Sequence, residues 1–137
     1  MYKRQMLTPR DSHDTHRFFS EVAGDKNRLL AALALLVCFR GMPCIYYGTE
    51  IPLAGGYDPD SRRCFPWDRL DEKDPYFGLV AKLLALRKLA PFGRGRTGLA
   101  VRDGLLVLTP KYGDETGWVF VNTVSYSHLM PPTIFSV

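Results

Sequence analysis

Apolar residues fall into three regimes along the chain. From Lys26 to Arg40 they run almost without a break, with Leu29–Phe39 the longest stretch and almost no polar face after Arg28. Such a segment reads as a helix buried on nearly all sides, wedged between a sheet and neighbouring helices. Gly24 and Asp25 supply its start, since a short acceptor side chain precedes good helix formers. Gly41 and Pro43 stop it. Cys44-Ile45-Tyr46-Tyr47 follows at once and is closed by Gly48. Its length and flanks predict a buried strand over Cys44–Tyr47. A buried helix feeding a buried strand through a tight turn is half of a βαβ unit in a parallel sheet.

The second regime opens with a long connection, Thr49–Asp74, rich in Gly, Pro, Asp and Arg. Loops of that length without a period of their own are usually functional, and Tyr57, Phe65 and Trp67 argue against simple disorder. Asp74 then caps a second helix with Pro75 in its first position. Tyr76, Leu79, Val80, Leu83, Leu84 and Leu86 recur at helical spacing, which predicts an amphipathic helix over Asp74–Ala90, ended by Pro91. In the third regime the period changes to two. Leu99–Arg102, the Asp103-Gly104 turn, Leu105–Thr109 and Trp118–Asn122 predict three antiparallel strands. Met1–Gln5 carry no pattern, Leu7–Asp14 is short and turn-rich, and there are no internal repeats. Helix, strand and helix followed by strands alone predict the end of an α/β domain and the start of a small β domain. One strand with two helices lacks partner strands, so the expectation is a fragment from the C-terminal end of a larger α/β enzyme.

Composition narrows the class. With 137 residues, 46% of them hydrophobic, the chain can bury a core. Its longest apolar run falls short of the roughly 20 residues that cross a bilayer, and no stretch reads as a secretory signal. The net charge of +4 comes from scattered Lys and Arg neighboured by acids. It describes a solvated surface rather than a nucleic-acid footprint. Cys38, Cys44 and Cys64 are odd in number and too widely spaced for a zinc knuckle, so reduced, buried thiols are expected. Free cysteines lean towards the cytoplasm.

Several motifs then fall into one order. Ser12-His13-Asp14-Thr15 with Arg17-Phe18 resembles the last signature region of the alpha-amylase family, glycoside hydrolase family 13. Pro43–Ile51 looks like that family's eighth barrel strand, Gly55–Arg63 and Pro66-Trp67-Asp68 like the loop after it, and Leu86-Arg87-Lys88 like the motif on the eighth helix. The matches span Leu7 to about Asn122. The Ser before His-Asp and the Gly-Gly-x-Asp-Pro-Asp loop are most similar to the neopullulanase, cyclomaltodextrinase and maltogenic-amylase group. Thr49 departs from the Asp usual before Glu50, which bears on a loop hydrogen bond. The resemblance implies an α/β fold: the C-terminal part of a (β/α)8 TIM barrel, from the end of strand 7 to helix 8, over residues 6–92. The first strands of an all-β sandwich would follow over 93–123. Such a barrel needs about 250 residues. Residues 1–5 and 124–137 resemble translated adapter sequence and are expected to be non-native tails.

The resemblance also assigns chemistry. Retaining glycosidases set an acid and a nucleophile roughly 5–5.5 Å apart. In the resembled family a third carboxylate hydrogen-bonds the sugar's 2- and 3-hydroxyls and favours the distorted, oxocarbenium-like ring. Asp14 matches that transition-state stabiliser, and His13 matches the imidazole that binds the same sugar. Asp58 and Arg62 match a substrate-binding pair, an acceptor and a set of donors for hydroxyls; a loop-internal salt bridge is the bland reading of the same pair. Tyr57, Phe65 and Trp67 are aromatic faces a sugar could stack on, although for Trp67 packing under the loop is the expectation. Tyr46 and Tyr47 are expected in strand core, and Glu50 in a structural role. Ser12-His13-Asp14 is no Ser–His–Asp triad, because adjacent residues in an extended segment point to alternating sides. No metal site is expected in this chain, because His13, Asp14 and His16 fit no standard zinc spacing.

The family's nucleophile and acid come from the fourth and fifth strands, which this chain lacks, so the fragment alone is expected to be inactive. Its parent is expected to be a retaining hydrolase or transglycosylase acting on alpha-glucan oligosaccharides or cyclodextrins. No cofactor, nucleic acid or membrane is implied; the resemblance leaves room for a structural calcium and a homodimer in the parent. A rival reading is a non-catalytic amylase-like protein that binds sugar, or an ancillary subunit of a transporter. Retention of Asp14 with His13, and of Asp58 with Arg62, favours the enzyme. A self-contained small binding domain is disfavoured by the unpaired sheet edges it would leave.

Overall fold

The computed structural model describes residues 7–9, 11–39, 41–122 and 133–136. Strand β1 (Leu7–Pro9) leads through the Asp11–Arg17 loop to the short helix α1 (Phe18–Glu21). Helix α2 (Lys26–Cys38) follows, and β2 (Met42–Cys44) returns parallel to β1, with Leu7 opposite Met42 and Pro9 opposite Cys44. The Asp25 carboxylate accepts hydrogen bonds from the amides of Asn27 and Arg28 at 2.8 and 3.2 Å, which caps α2 as its sequence position requires. Arg40, the expected last residue of this helix, lies outside the described residues.

The expected strand is displaced. It covers Met42–Cys44 instead of Cys44–Tyr47. After Cys44 the chain leaves the ladder, because Arg17 takes the carbonyl of Tyr47 and lies over both the Tyr46 and Tyr47 rings, at 4.2 and 4.6 Å. The tyrosine doublet therefore clamps a cation rather than filling strand core. Gly48, with φ of +84°, then turns the backbone into a region that side chains resist.

The second long helix is also shorter than its periodicity suggests. Helix α3 (Pro75–Ala85) is capped by the Asp74 carboxylate on the Tyr76 amide at 2.7 Å. A 3-10 turn at Leu86–Lys88 interrupts it, and α4 (Ala90–Arg94) follows. Pro91 opens α4 rather than ending α3. It lacks an N–H and is tolerated where that N–H has no helical partner, in a first turn.

Strands β3 (Arg96–Arg102), β4 (Leu105–Tyr112) and β5 (Glu115–Asn122) form the expected antiparallel meander, each longer than its pattern showed. Asp103 and Gly104, both at positive φ, make the β3–β4 turn. Strand β6 (Thr133–Ser136) adds to β5, with Phe120 opposite Thr133; it falls within the segment expected to be a tail. Residues 1–5 and 124–132 lie outside the described residues.

Two cores result. Leu29, Leu30, Leu33, Ala34, Tyr76, Val80 and Leu83 join α2 to α3. Cys38, Phe92, Leu108, Val119 and Val121 join the end of α2 and α4 to the sheet. No residue of α2 from Leu29 to Cys38 is exposed, as its apolar run predicts, although the face of Ala31, Ala32, Leu35 and Leu36 is only half-buried. Its Ala32, Leu35, Leu36 and Phe39 line an apolar groove of about 420 Å³ closed by Leu99, Leu106 and Leu108. No helix among the described residues is long and apolar enough to cross a membrane.

Candidate functional site

Two loops meet beyond the C-terminal ends of β1 and β2. The first carries His13 and Asp14. Ser12 shapes it as a local cap, accepting from the Asp14 amide at 3.2 Å and sharing a hydrogen bond with the Thr15 hydroxyl at 3.1 Å. The Asp11 carboxylate, nearly buried, anchors the same loop from below. It accepts from the Phe18 amide at 2.8 Å and from the Thr49 hydroxyl at 3.1 Å. That second bond gives the Thr49 departure its physical sense. An aspartate there would press a second carboxylate against buried Asp11, whereas a hydroxyl donates to it.

The second loop, Gly55–Arg63, carries Asp58 and Arg62. Its own fold is tight. The Asp60 carboxylate accepts from the Gly56 amide at 2.6 Å and forms two bonds with Arg63, at 2.6 and 2.9 Å. The Arg63 bonds first, then the Gly56 amide, hold the Asp60 carboxyl below its ordinary value. A Cβ on Gly55 would stand 2.8 Å from the Asp60 carbonyl and 3.0 Å from Arg17 Cγ, so only glycine lets this loop lie on the Arg17 stem.

The loops converge on one cluster. Arg62 Nε bonds Asp58 Oδ1 at 2.7 Å, and Arg62 Nη2 lies 3.8 Å from Asp14 Oδ1. His13 Nε2 lies 3.2 Å from Asp14 Oδ2. The Ser61 hydroxyl donates to the His13 carbonyl at 2.8 Å, 48 residues away in sequence. All four residues singled out from sequence therefore stand in one exposed, hydrogen-bonded group, with the salt bridge and the juxtaposition holding together. With side chains this exposed, the Arg62–carboxylate pairs contribute little to stability. What the group offers instead is two carboxylates, an imidazole and a guanidinium on an open surface, able to accept from and donate to several hydroxyls at once.

Around this group two expectations are overturned, and one residue gains a role. Trp67 is not packed under the loop: it is 75% exposed, with its ring 4.5 Å from that of Phe65. Its 3-10 turn, Trp67–Arg69, follows Pro66 and carries the indole outward. Of the three cysteines, only Cys38 is buried; Cys44 is half-buried and Cys64 exposed, all of them free. Arg17, quoted in the motif without a role, is almost completely buried and joins the two loops. Its Nε donates to the Ser61 carbonyl at 2.9 Å and its amide donates to the Gly55 carbonyl at 3.0 Å. A pattern of charges gives no sign of a buried arginine. The Tyr46-Tyr47 doublet lies about 30 residues on in the sequence and reads equally well as strand core. Tyr57, by contrast, is exposed and stands edge-on to His16 at 3.6 Å. Glu50 lines a cavity of about 180 Å³ on the α1–α3 side, with Lys26 and Asp74.

Among the described residues no three His, Cys, Asp or Glu side chains gather as a metal-binding group.

The sequence pattern described as "Alpha amylase, catalytic domain" matches residues 3–82. The chain is 33% identical over 127 residues to a cyclomaltodextrinase of Geobacillus thermopakistaniensis, covering 90% of this chain and 22% of that protein. It is 38% identical over 104 residues to a maltogenic alpha-amylase of Bacillus acidopullulyticus, covering 76% of this chain and 17% of that one. Among solved structures, an Anoxybacillus alpha-amylase superposes with a TM-score of 0.79 at 36% identity, over 89% of this chain and 28% of that chain. The chain thus spans between about a sixth and under a third of the proteins it is similar to. The family match over more than half its length, with the fold that accompanies it, makes this chain a member of the alpha-amylase family of glycoside hydrolases.

Proposed function

We propose that the chain is the C-terminal share of a (β/α)8 catalytic barrel, residues 6–92, with the opening strands of a β-sandwich over 93–123. The parent is a retaining alpha-glucan hydrolase or transglycosylase acting on alpha-1,4-linked oligosaccharides or cyclodextrins, with alpha-1,6 bonds as a further target. One observation carries this reading: β1 and β2 are adjacent and parallel, and the residues that converge lie beyond the C-terminal ends of both. That face of a barrel is where catalytic groups gather. Similarity to proteins named cyclomaltodextrinase and maltogenic alpha-amylase supports the substrate class.

In this reading Asp14 accepts hydrogen bonds from two sugar hydroxyls, and His13 bonds the same ring. Positive charge develops on the ring as the glycosidic bond breaks, so the Asp14 carboxylate binds the transition state more strongly than the ground state. Arg62, held by Asp58, keeps its guanidinium beside Asp14 and reaches a neighbouring sugar. The nucleophile and acid come from upstream of this chain, which alone has no hydrolytic activity. The test is Asp14→Asn in the full-length protein, assayed on maltooligosaccharides. The expected result is a loss of turnover of about 10³-fold, the scale of one preorganised electrostatic group, with a smaller change in KM. Near-normal turnover would reduce Asp14 to a loop residue.

A further inference from the structure

We propose that Arg17 is a positioning residue for this site. Its buried guanidinium fixes the Ser61–Arg62 turn against the His13–Asp14 loop. The inference rests on the site reading above and extends it to a residue that touches no sugar.

Arg17 is 1% exposed, and no carboxylate is among its hydrogen-bond or ion-pair partners in the described residues. Burying a guanidinium is costly unless its donors find acceptors, and among the described residues the acceptors of Arg17 are backbone carbonyls. A guanidinium supplies donors in one rigid plane. Here that plane fixes two carbonyls of the segment between β2 and α3, near its start and within its 55–63 loop. Nε holds Ser61 at 2.9 Å, and Nη1 holds Tyr47. The Tyr46 and Tyr47 rings flank the same group at 4.2 and 4.6 Å. Nη2 has no hydrogen-bond partner among the described residues. The orientation of the fork is therefore set by those two carbonyls and two rings.

The grip is transmitted through Ser61. Its carbonyl is held by Arg17, and its hydroxyl holds the His13 carbonyl at 2.8 Å. The next residue, Arg62, is the one that stands 2.7 Å from Asp58 and 3.8 Å from Asp14. A shift of the Ser61 carbonyl therefore moves His13 and Arg62 together, and with them the setting of the Asp14 carboxylate. A lysine at 17 would keep the charge but could not hold both carbonyls in a fixed plane.

Arg87 supplies an internal control. It too is a guanidinium on backbone carbonyls, those of Val37, Phe39, Gly41 and Phe92, but it lies at the helix–sheet junction. The experiment compares Arg17→Lys, Arg17→Ala, Arg87→Lys and Arg87→Ala in the full-length protein, with kcat and KM per folded molecule on maltotriose and maltohexaose. Arg17→Lys is expected to lower kcat about 100-fold, the scale of a displacement near 1 Å at a reacting centre. Arg87→Lys should lower the melting temperature and leave kcat in place. Added guanidinium should restore part of kcat to Arg17→Ala and none of the stability lost in Arg87→Ala. If Arg17→Ala fails to fold, the cycle of Arg17→Lys with Ser61→Ala decides: non-additive losses in kcat support transmission through Ser61, and additive losses overturn it. Wild-type kcat in Arg17→Lys, where Asp14→Asn abolishes turnover, would overturn this inference alone. Normal turnover in Asp14→Asn would overturn the site reading beneath it.

Discussion

The two ends of this chain use the same side-chain chemistry for opposite purposes. At the junction of helices and sheet, Arg87 draws the carbonyls at the end of α2 and in α4 onto a packed apolar core of Cys38, Phe92, Leu108, Val119 and Val121. At the loop end, Arg17 draws the 55–63 loop onto the loop of His13 and Asp14, and the residues it aligns are exposed. At the junction, burial of apolar surface dominates and the arginine satisfies carbonyls that interrupted helices leave over. At the loop end, hydrogen bonds dominate and fix positions. A substitution at the first end should register in stability, and one at the second in catalysis.

Leu108→Ala should show the largest effect on the first side of that contrast. Leu108 is fully buried in the junction core, and such truncations cost about 2–5 kcal/mol. Chemical denaturation of the full-length protein should report that loss with KM unchanged; a shift in KM would mean that the two ends are mechanically coupled. Arg62→Ala sharpens the other side. It should raise KM for maltohexaose roughly tenfold, leave maltotriose less affected and barely move the melting temperature, because its ion pairs are exposed.

Thiol chemistry separates the ends more gently. Burial pushes the Cys38 thiol up to about 12, partly opposed by Arg87. An acid whose folded pKa is raised stabilises the fold fully below its unfolded value, near 9.0, and loses that contribution as pH rises towards 12. At pH 8 a disulfide reagent should modify exposed Cys64 at once and Cys38 only upon unfolding. The smallest effect is expected at Asp60. Its pKa is lowered, so the brace it gives the 55–63 loop is present above its ordinary value of 3.8 and is lost as pH falls through the lower folded value. The Gly56 amide resonance should report that transition, and Asp60→Asn should remove it.

Legibility in the sequence follows the range of the forces involved. Asp25 and Asp74 as caps, and Asp103-Gly104 as a hairpin turn, are local chemistry and could be read from neighbours alone. The meander was legible for the same reason. The start of β2 was not, because the register is set by β1 and the exit by Arg17, both distant in sequence. Nor was the break at Leu86–Lys88, where the leucine periodicity continues while Pro91 and the Arg87 carbonyl bonds divide the backbone. His13, Asp14, Asp58 and Arg62 could be picked out by motif. The support under them, Asp11, Arg17, Thr49 and Ser61, consists of ordinary polar residues whose meaning comes from partners 38 to 48 positions away.

That separation also bears on the order of assembly. The β3–β4 and β4–β5 hairpins close through turns of two residues and can form as soon as they emerge, since local contacts need little chain entropy. The Arg17–Ser61 and Ser61–His13 bonds each close a loop of more than 40 residues, and among the described residues no ladder longer than the three residues of β1 and β2 helps to bring their ends together. The site loops should therefore be the last part to settle during synthesis and the first to open under native conditions, while the sheet that follows them in the chain is already in place.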